Sequence, residues 1–377
     1  MATITTSKGS ASNSKVKVYL VGGAVRDKLL NVTPKDKDFV IVGADVRFAE
    51  ALLAIGFEQV GADFPVYLHP DTKEEFAFAR IDRKVCAGYS GFSTITSPDL
   101  TIEEDLIRRD LTINAMAIDL ETDELIDPFN GAIDLAEGII RHTSEAFVED
   151  PLRVLRIARF IARYNFTVAD ETMILIRQMM KSGELSHLVP DRVITELNKI
   201  ISEKSAGDGI HFLIVNQIFN AIHPSLDKIT LHDLHILDKC VYKQCSLAVR
   251  FASIFYNLTA NELRAMRFNS YTERFTLLYA RFKADITVWP CLKTDQQRDI
   301  LIALKALQQE MTFIDHMLQL LQCDNAVSSS ILRAFNASVE AFRNIDNNSI
   351  INEISEPKKF GAAIMKEQLR VLQLVQI

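Results

Sequence analysis

VKVYLVGGAVRDKLLNVTPKDKDFVIVG, residues Val16 to Gly43, is the stretch around which the chain is organised. Val16 to Val21 is a short apolar-rich run that predicts a strand, and Phe39 to Val42 predicts a second. Gly22 and Gly23 predict a tight turn, and Ala24 to Leu30, which lacks a strong breaker, a short helix. Asp36 and Asp38 stand just ahead of the second strand. Residues two apart on a strand point to the same side, so these carboxylates are placed to converge. Two carboxylates held together repel unless a cation lies between them, and Mg²⁺ suits such oxygen ligands. The helix N-terminus after the glycines offers free N–H groups to phosphate oxygens. A metal site and a phosphate cradle so close in sequence form the front half of a nucleotidyl-transfer site.

The 377 residues are enough for two or more domains, each burying its own core. An apolar content of 48% with 24% charge is ordinary for a globular protein, and no uncharged run approaches transmembrane length. Residues 1–14, rich in Ser, Thr and Ala, have no apolar signal core and no arginine, so they read as a flexible tail. The five cysteines (Cys86, Cys240, Cys245, Cys291 and Cys323) are odd in number and lack ligand spacing. They imply a reducing compartment and no structural zinc. A net charge of −7 argues against whole-surface attraction to nucleic acid, while leaving room for a local basic groove.

Beyond the opening unit, Asp45 to Ile55 predicts a helix ended by Gly56. Phe57 to Val60, Val66 to His69 and Phe76 to Ile81 predict strands, with Glu75 opening the last. Glu75 is either a surface carboxylate or a third acid beside the aspartate pair. Arg83 to Asp99 has the composition of a long loop, either a lid or plain disorder. Ile102 to Ile113 predicts a helix with acids early and arginines late. On such a helix the adjacent Arg108 and Arg109 cannot face the same way, so at most one contacts ligand. Asp110 suits either a sugar hydroxyl or an arginine partner. Asn114 to Asp119 and Leu125 to Asp127 predict the last strands, and Asp127 to Gly131 a turn or linker.

Glu149 to Tyr164, EDPLRVLRIARFIARY, is the second informative stretch. Pro151 suits the front of a helix. Arg156, Arg159 and Arg163 fall within about 60° of one another on it, with Arg153 about 60° further round. The stripe is a solvated face or a set of planar donors aimed at phosphates and base edges. Asp150 is an N-cap or an acceptor for an exocyclic amine. From Asp170 onward the pattern is almost entirely helical. His232 and His235 lack a third ligand nearby and read as surface or core, and Trp289 as packing.

Two-metal phosphoryl-type chemistry needs groups that position and neutralise. Asp36 and Asp38 would hold the ions, Glu75 would assist on the nucleophile's side, and Gly22, Gly23 and Arg26 would hold a triphosphate.

LVGGAVRD (Leu20–Asp27), Asp36-Lys37-Asp38, RRDLTINA (Arg108–Ala115) and EDPLR (Glu149–Arg153) occur in that order. Together they resemble bacterial-type class II tRNA nucleotidyltransferases, the CCA-adding enzymes. The resemblance is dense from about Val16 to Tyr164, weaker through Leu188 to Val193, and thin beyond about residue 210. It implies an α/β nucleotidyltransferase head with a polymerase-beta-like palm, followed by an all-helical neck, body and tail. The implied divisions are 15–141 for the head, 142–210 for the neck and 211–377 for body and tail. It implies Mg²⁺ on Asp36 and Asp38, with Glu75 as third acid. It places Gly23, Arg26, Arg109, Arg156 and Arg159 at nucleotide-binding positions and Asp110 at the ribose. Asp150 and Arg153 would act as an amino-acid template for ATP and CTP. Arg83 to Pro98 resembles the loop needed for the switch to adding A, and Asp127 to Gly131 the springy link between head and neck. Partners would be the tRNA acceptor arm and elbow in the cytoplasm, with no membrane and no obligatory protein partner. CC-adding, A-adding and bacterial poly(A) polymerase activities are the alternatives. Longer members carry a His-Asp phosphohydrolase domain. Here Tyr256-Asn257 stands where His-Asp is expected, which implies a degenerate domain without phosphatase or phosphodiesterase activity.

Overall fold

A computed structural model describes residues 16–61, 65–84, 92–304, 306, 313–324, 326–352 and 354–375. The expected tail 1–14, the middle of the expected loop (85–91) with Cys86, and positions 305, 307–312 and 325 of the expected helical region lie outside the described residues. The chain divides into two compact units, residues 1–157 with 166–187, and residues 158–165 with 188–377.

The first unit is built on β1 (Lys17–Val21), α1 (Gly23–Leu29), β2 (Asp38–Val42), α2 (Val46–Ala54), β3 (Glu58–Val60), β4 (Val66–Leu68) and β5 (Glu75–Phe78). There follow β6 (Arg80–Lys84), β7 (Phe92–Thr96), α3 (Ile102–Leu106), β8 (Ala117–Asp119), β9 (Leu125–Ile126), α4 (Gly131–Glu137) and β10 (Ile139–Ile140). Helix α5 (Leu152–Tyr164) is shared by the division; β11 (Thr167–Val168) and α6 (Asp170–Ser182) return to the first unit.

Seven strands form one mixed sheet in the order β3-β4-β5-β2-β1-β8-β9. β1 runs antiparallel to β2 and β8, while β2 and β5 are parallel. Both sheet faces are covered, and strand alternation sorts the side chains between them. Tyr19, Val21 and Val40 pack with Leu100, Ile102 and Leu106. Ile41 packs with Leu52, Phe57 and Tyr67, joined by Val18, Phe76 and Phe78. Phe39 and Phe76, paired across the parallel register, stack at 4.5 Å.

Two expectations are corrected. The expected loop over Arg83 to Asp99 is bounded by a hairpin, β6 against β7. Phe92 to Thr96, FSTIT, carries an aromatic and three β-branched residues among its five, which favours a strand once a partner lies alongside. The helix expected over Ile102 to Ile113 stops at Leu106. It starts as expected, with Thr101 and Glu104 forming a reciprocal capping box. Beyond it Arg109 donates its N–H to the Leu106 carbonyl in a tight turn, and Thr112 to Asn114 make a single 3₁₀ turn.

The second unit is helical: α7 (Pro190–Ser202), α8 (Ala206–Val215), α9 (Ile218–Ile222), α10 (Leu231–Tyr242), α11 (Leu247–Phe255) and α12 (Ala260–Ala265). It continues with α13 (Ser270–Thr287), α14 (Thr294–Ala303), α15 (Phe313–Leu321), α16 (Ser329–Arg343), α17 (Asn347–Asn352) and α18 (Phe360–Val375). Trp289 is a core residue as expected, edge-on to Phe335 with its indole N–H donating to Ser338 at 3.0 Å. No helix among the described residues is long and apolar enough to cross a membrane.

Candidate nucleotidyl-transfer site

The site begins where β1 ends. Gly22 adopts φ 67° and ψ −128°, a region open to glycine, and no side chain caps the helix that follows it. A β-carbon on Gly22 would lie 2.8 Å from Arg109 Nη1, so the glycine also admits that guanidinium. Beside it, the parallel register sets Asp38 directly opposite Glu75. Asp36 lies in the bend just before β2 rather than within the strand.

These three carboxylates act on one another electrostatically. The Asp38 carboxyl is pushed above the ordinary carboxylate range by desolvation, pulled back by Arg109 and raised further by Asp36. Glu75 is raised by desolvation and by the charges of Asp38 and Asp36. The three carboxylates do not form a ready three-ligand cluster, since among the described residues only the cysteines of the second unit do; a hard divalent cation would remove their repulsion and draw them together.

The Arg108-Arg109-Asp110 stretch is positioned by Asp105, which the sequence reading missed. Asp105 is fully buried. Its Oδ1 accepts from Arg108 Nη2 at 2.6 Å, and its Oδ2 from Arg109 Nη2 at 3.1 Å. Both arginines therefore converge on one carboxylate, contrary to the expectation that they diverge. The reason is that residues three and four beyond an acid can both reach back to it across one turn. The signal was present as an acid three and four residues ahead of two arginines.

Asp110 is buried and is the centre of a relay. It accepts from Arg156 Nε at 2.6 Å and from Asn114 Nδ2 at 3.1 Å. Asn114 Oδ1 in turn accepts from Arg26 Nη1 at 2.6 Å. Arg26 also donates to Asp27, and it is only 5% exposed, so its guanidinium lies inside the protein. The relay ties α1, the 3₁₀ turn and α5 together. Arg156 and the Asn114 amide outweigh desolvation and hold the Asp110 carboxyl down to about 2. Asn114 was not singled out from sequence; an asparagine inside RRDLTINA carries no chemical signature until its partners are known.

At the start of α5, Asp150 accepts from the Leu152 N–H at 3.1 Å, as an N-terminal cap does. Arg153, one turn on, donates to the carbonyls of Ala146 (3.1 Å) and Arg108 (2.7 Å). Burial lowers its pKa, opposed by the charges of Asp110 and Asp150. Further along the expected stripe, in the second unit, Arg159 faces Glu196 (4.0 Å) and Glu203 (3.8 Å), and Arg163 faces Glu203 (3.9 Å). Described arginines of the stripe thus each have a carboxylate neighbour.

Residues 18–141 match the family described as "Poly A polymerase head domain", and residues 165–230 match "Probable RNA and SrmB- binding site of polymerase A". A Multifunctional CCA protein of Laribacter hongkongensis (strain HLHK9) is 47% identical over 262 residues, covering 64% of this chain and 63% of the relative. One from Neisseria meningitidis serogroup C (strain 053442) is 48% identical over 259 residues, 64% of this chain and 61% of the relative. The chain is thus similar to a polymerase head family over residues 18–141 and to Multifunctional CCA proteins over 64% of its length. It spans less than two thirds of the length of these relatives. Among solved structures, a CCA-adding enzyme in apo form II superposes with a TM-score of 0.71 at 22% identity, over 96% of this chain and 88% of that one. The Thermotoga maritima CCA-adding enzyme complexed with tRNA superposes with a TM-score of 0.69 at 22% identity, over 96% and 90%. At that identity the superpositions establish the fold alone: a mixed-sheet head and a helical remainder.

Where longer family members are expected to carry His-Asp, this chain builds a different cluster. The Tyr256 hydroxyl donates to buried Asp233 at 3.0 Å. The Lys283 ammonium lies 4.6 Å from the Tyr256 ring centroid and pairs with Asp324 at 2.8 Å. His232 and His235 are both exposed. Although the cysteines lack ligand spacing in sequence, Cys240, Cys245 and Cys323 come together in the second unit.

Proposed function

We propose that this protein adds C, C and A to the 3′ end of tRNA from CTP and ATP, releasing pyrophosphate without a nucleic-acid template. The observation that carries the reading is the Asp38–Glu75 register beside the Gly22–Arg109 contact. Carboxylate oxygens that would suit divalent cations beside a glycine turn and a guanidinium that would suit phosphates support this reading. Asp36 and Asp38 would hold Mg²⁺, with Glu75 supporting the ion beside the attacking 3′-hydroxyl. Bound there, the ions would align nucleophile and phosphate and neutralise the leaving pyrophosphate. Gly22 and Gly23 give the triphosphate close approach, and Arg109, oriented by Asp105, supplies the adjacent positive charge. Arg26 acts from inside, fixing Asn114 and through it Asp110, whose carboxylate is kept ionised beside the ribose position.

Asp150 and Arg153 are the proposed base readers. Arginine donates to the cytosine carbonyl and ring nitrogen, and aspartate accepts from the exocyclic amine. UTP and GTP present the opposite pattern. One mismatched buried polar contact costs about 1–3 kcal/mol, a discrimination of about 5–150-fold. In the second unit a groove of about 500 Å³ is lined by Arg264, Arg274 and Arg281 with Ser270 and Glu273, and suits the RNA backbone despite the acidic total charge. The protein would work in the cytoplasm, and with Tyr256-Asn257 in place of His-Asp it would lack phosphohydrolase activity.

The poly(A) polymerase name of the head family keeps a related activity in view. The test is incubation with Mg²⁺, labelled ATP or CTP, and tRNAs ending before the tail, after C and after CC. Ordered completion of all three supports the proposal. Extension only of the CC-ending tRNA indicates A addition alone, arrest at CC indicates CC addition, and long A tails on any RNA indicate a poly(A) polymerase. No incorporation at all removes the proposal.

A further inference from the structure

Helix α10 ends in a Schellman turn: Gln244 adopts φ 54°, its N–H donates to the Val241 carbonyl, and the Cys245 N–H donates to the Cys240 carbonyl at 2.9 Å. That turn brings residues five apart in sequence side by side, which is how Cys240 and Cys245 meet. Cys323 arrives from the turn after α15, where its N–H donates to the Leu320 carbonyl. Lys243 Nζ joins the two turns by donating to the Gln322 carbonyl at 3.1 Å. The three sulfurs lie within 4.8 Å of one another, and the residues are 0%, 8% and 1% exposed. None is in a disulfide.

We infer that Cys240, Cys245 and Cys323 form a three-thiolate site for a soft d¹⁰ metal ion, distinct from the carboxylate site of the first unit. Metal–thiolate bonds of about 2.3 Å around a trigonal ion need sulfurs about 4 Å apart, so the observed cluster must contract by less than about 1 Å. Among the described residues no His, Asp or Glu joins the three sulfurs. Hard cations are therefore poorly served, and an ion content with sulfur alone is selected. Loading with a divalent ion replaces three thiol protons: M²⁺ and three R–SH give M(SR)₃⁻ and three H⁺. Lys243 and Arg250, which donates to the Cys245 carbonyl at 3.0 Å, supply compensating positive charge. The ion would staple the end of α10 to the end of α15, elements that also share one apolar core.

The probe is Cd²⁺, added to the reduced, chelator-stripped full chain. The expected result is one equivalent bound with a thiolate-to-metal charge-transfer band, three sulfur neighbours by X-ray absorption, and a raised thermal midpoint reversed by chelator. Cys245→Ser should abolish the band, while Cys291→Ser, at an exposed cysteine, should leave it unchanged. Cd²⁺ held by Asp36 and Asp38 would show oxygen neighbours and no such band. Absence of the band from the parent chain, its survival in folded Cys245→Ser, or a sulfur count other than three overturns the inference. The sulfur count on the parent chain decides the matter even if the serine variant does not fold.

Discussion

Replacing Asp110 with asparagine probes the relay that joins Arg26, Asn114, Asp110 and Arg156. The Asp110 carboxyl is held at about 2 against an ordinary value of 3.8. At 1.36 kcal/mol per unit, this depression contributes about 2.5 kcal/mol to folding at neutral pH. A depressed folded-state pKa gives stability that is fully present above the ordinary value and lost as pH falls through the folded one. At pH 3 the contribution has fallen to about 1.3 kcal/mol. Asparagine keeps a carbonyl acceptor but removes the negative charge that Asp110 sets against the Arg156 guanidinium. The assay is urea unfolding at pH 7 and pH 3, followed by far-UV circular dichroism and by tryptophan fluorescence. The only tryptophan, Trp289, lies in the second unit and reports on that unit alone. The first-unit transition of Asp110→Asn should move to lower urea by about 1 M at pH 7 and about half as far at pH 3, with the tryptophan transition unmoved. A variant as stable as its parent at pH 7, or a deficit independent of pH, would refute the reasoning.

Three further outcomes are expected. Gly22→Ala should cost about 1–3 kcal/mol, because its backbone conformation suits glycine, and should raise the KM for nucleotide by displacing Arg109; unchanged KM in a folded variant contradicts the recess. Arg153→Lys keeps the charge but loses the planar fork, so the preference for CTP over UTP should fall about tenfold with tRNA affinity unchanged; the reverse pattern removes the base-reading role. Asp38 and Glu75 have raised folded-state pKa values, so the metal-free chain binds extra protons and loses stability as pH rises from their ordinary values through the raised ones. Mg²⁺ competes with those protons, so its thermal stabilisation should grow over the same window and vanish in Asp38→Asn; stabilisation independent of pH would be contrary.

What was legible in the sequence followed from local patterns. The Val16–Val21 and Phe39–Val42 strands send side chains to two buried faces, and the apolar runs this requires were visible in the residues themselves. Glu75 could be flagged only as an option, because a parallel pairing with Asp38 is a contact between distant segments that no local pattern encodes. The β6–β7 hairpin was hidden because glycine-rich intervening residues read as loop, while its pairing lies between the two ends. The helix after Thr101 was drawn too long because its acid-then-base order looked continuous. Arg108 and Arg109 share Asp105 because they lie three and four residues beyond it. The cysteine cluster escaped for a similar reason: a five-residue spacing is meaningless until a helix end turns it into a neighbour pair, and Cys323 joins only through packing.

The most direct test of the central claim is single-turnover CMP addition to tRNA by Asp36→Ala, with tRNA affinity and folding measured on the same preparation. Removing one ion-holding carboxylate should lower the rate by at least about 10³-fold, equivalent to about 4 kcal/mol of transition-state stabilisation, while tRNA affinity and unfolding stay close to the parent. A folded, tRNA-binding variant that adds nucleotide at the parental rate would contradict it.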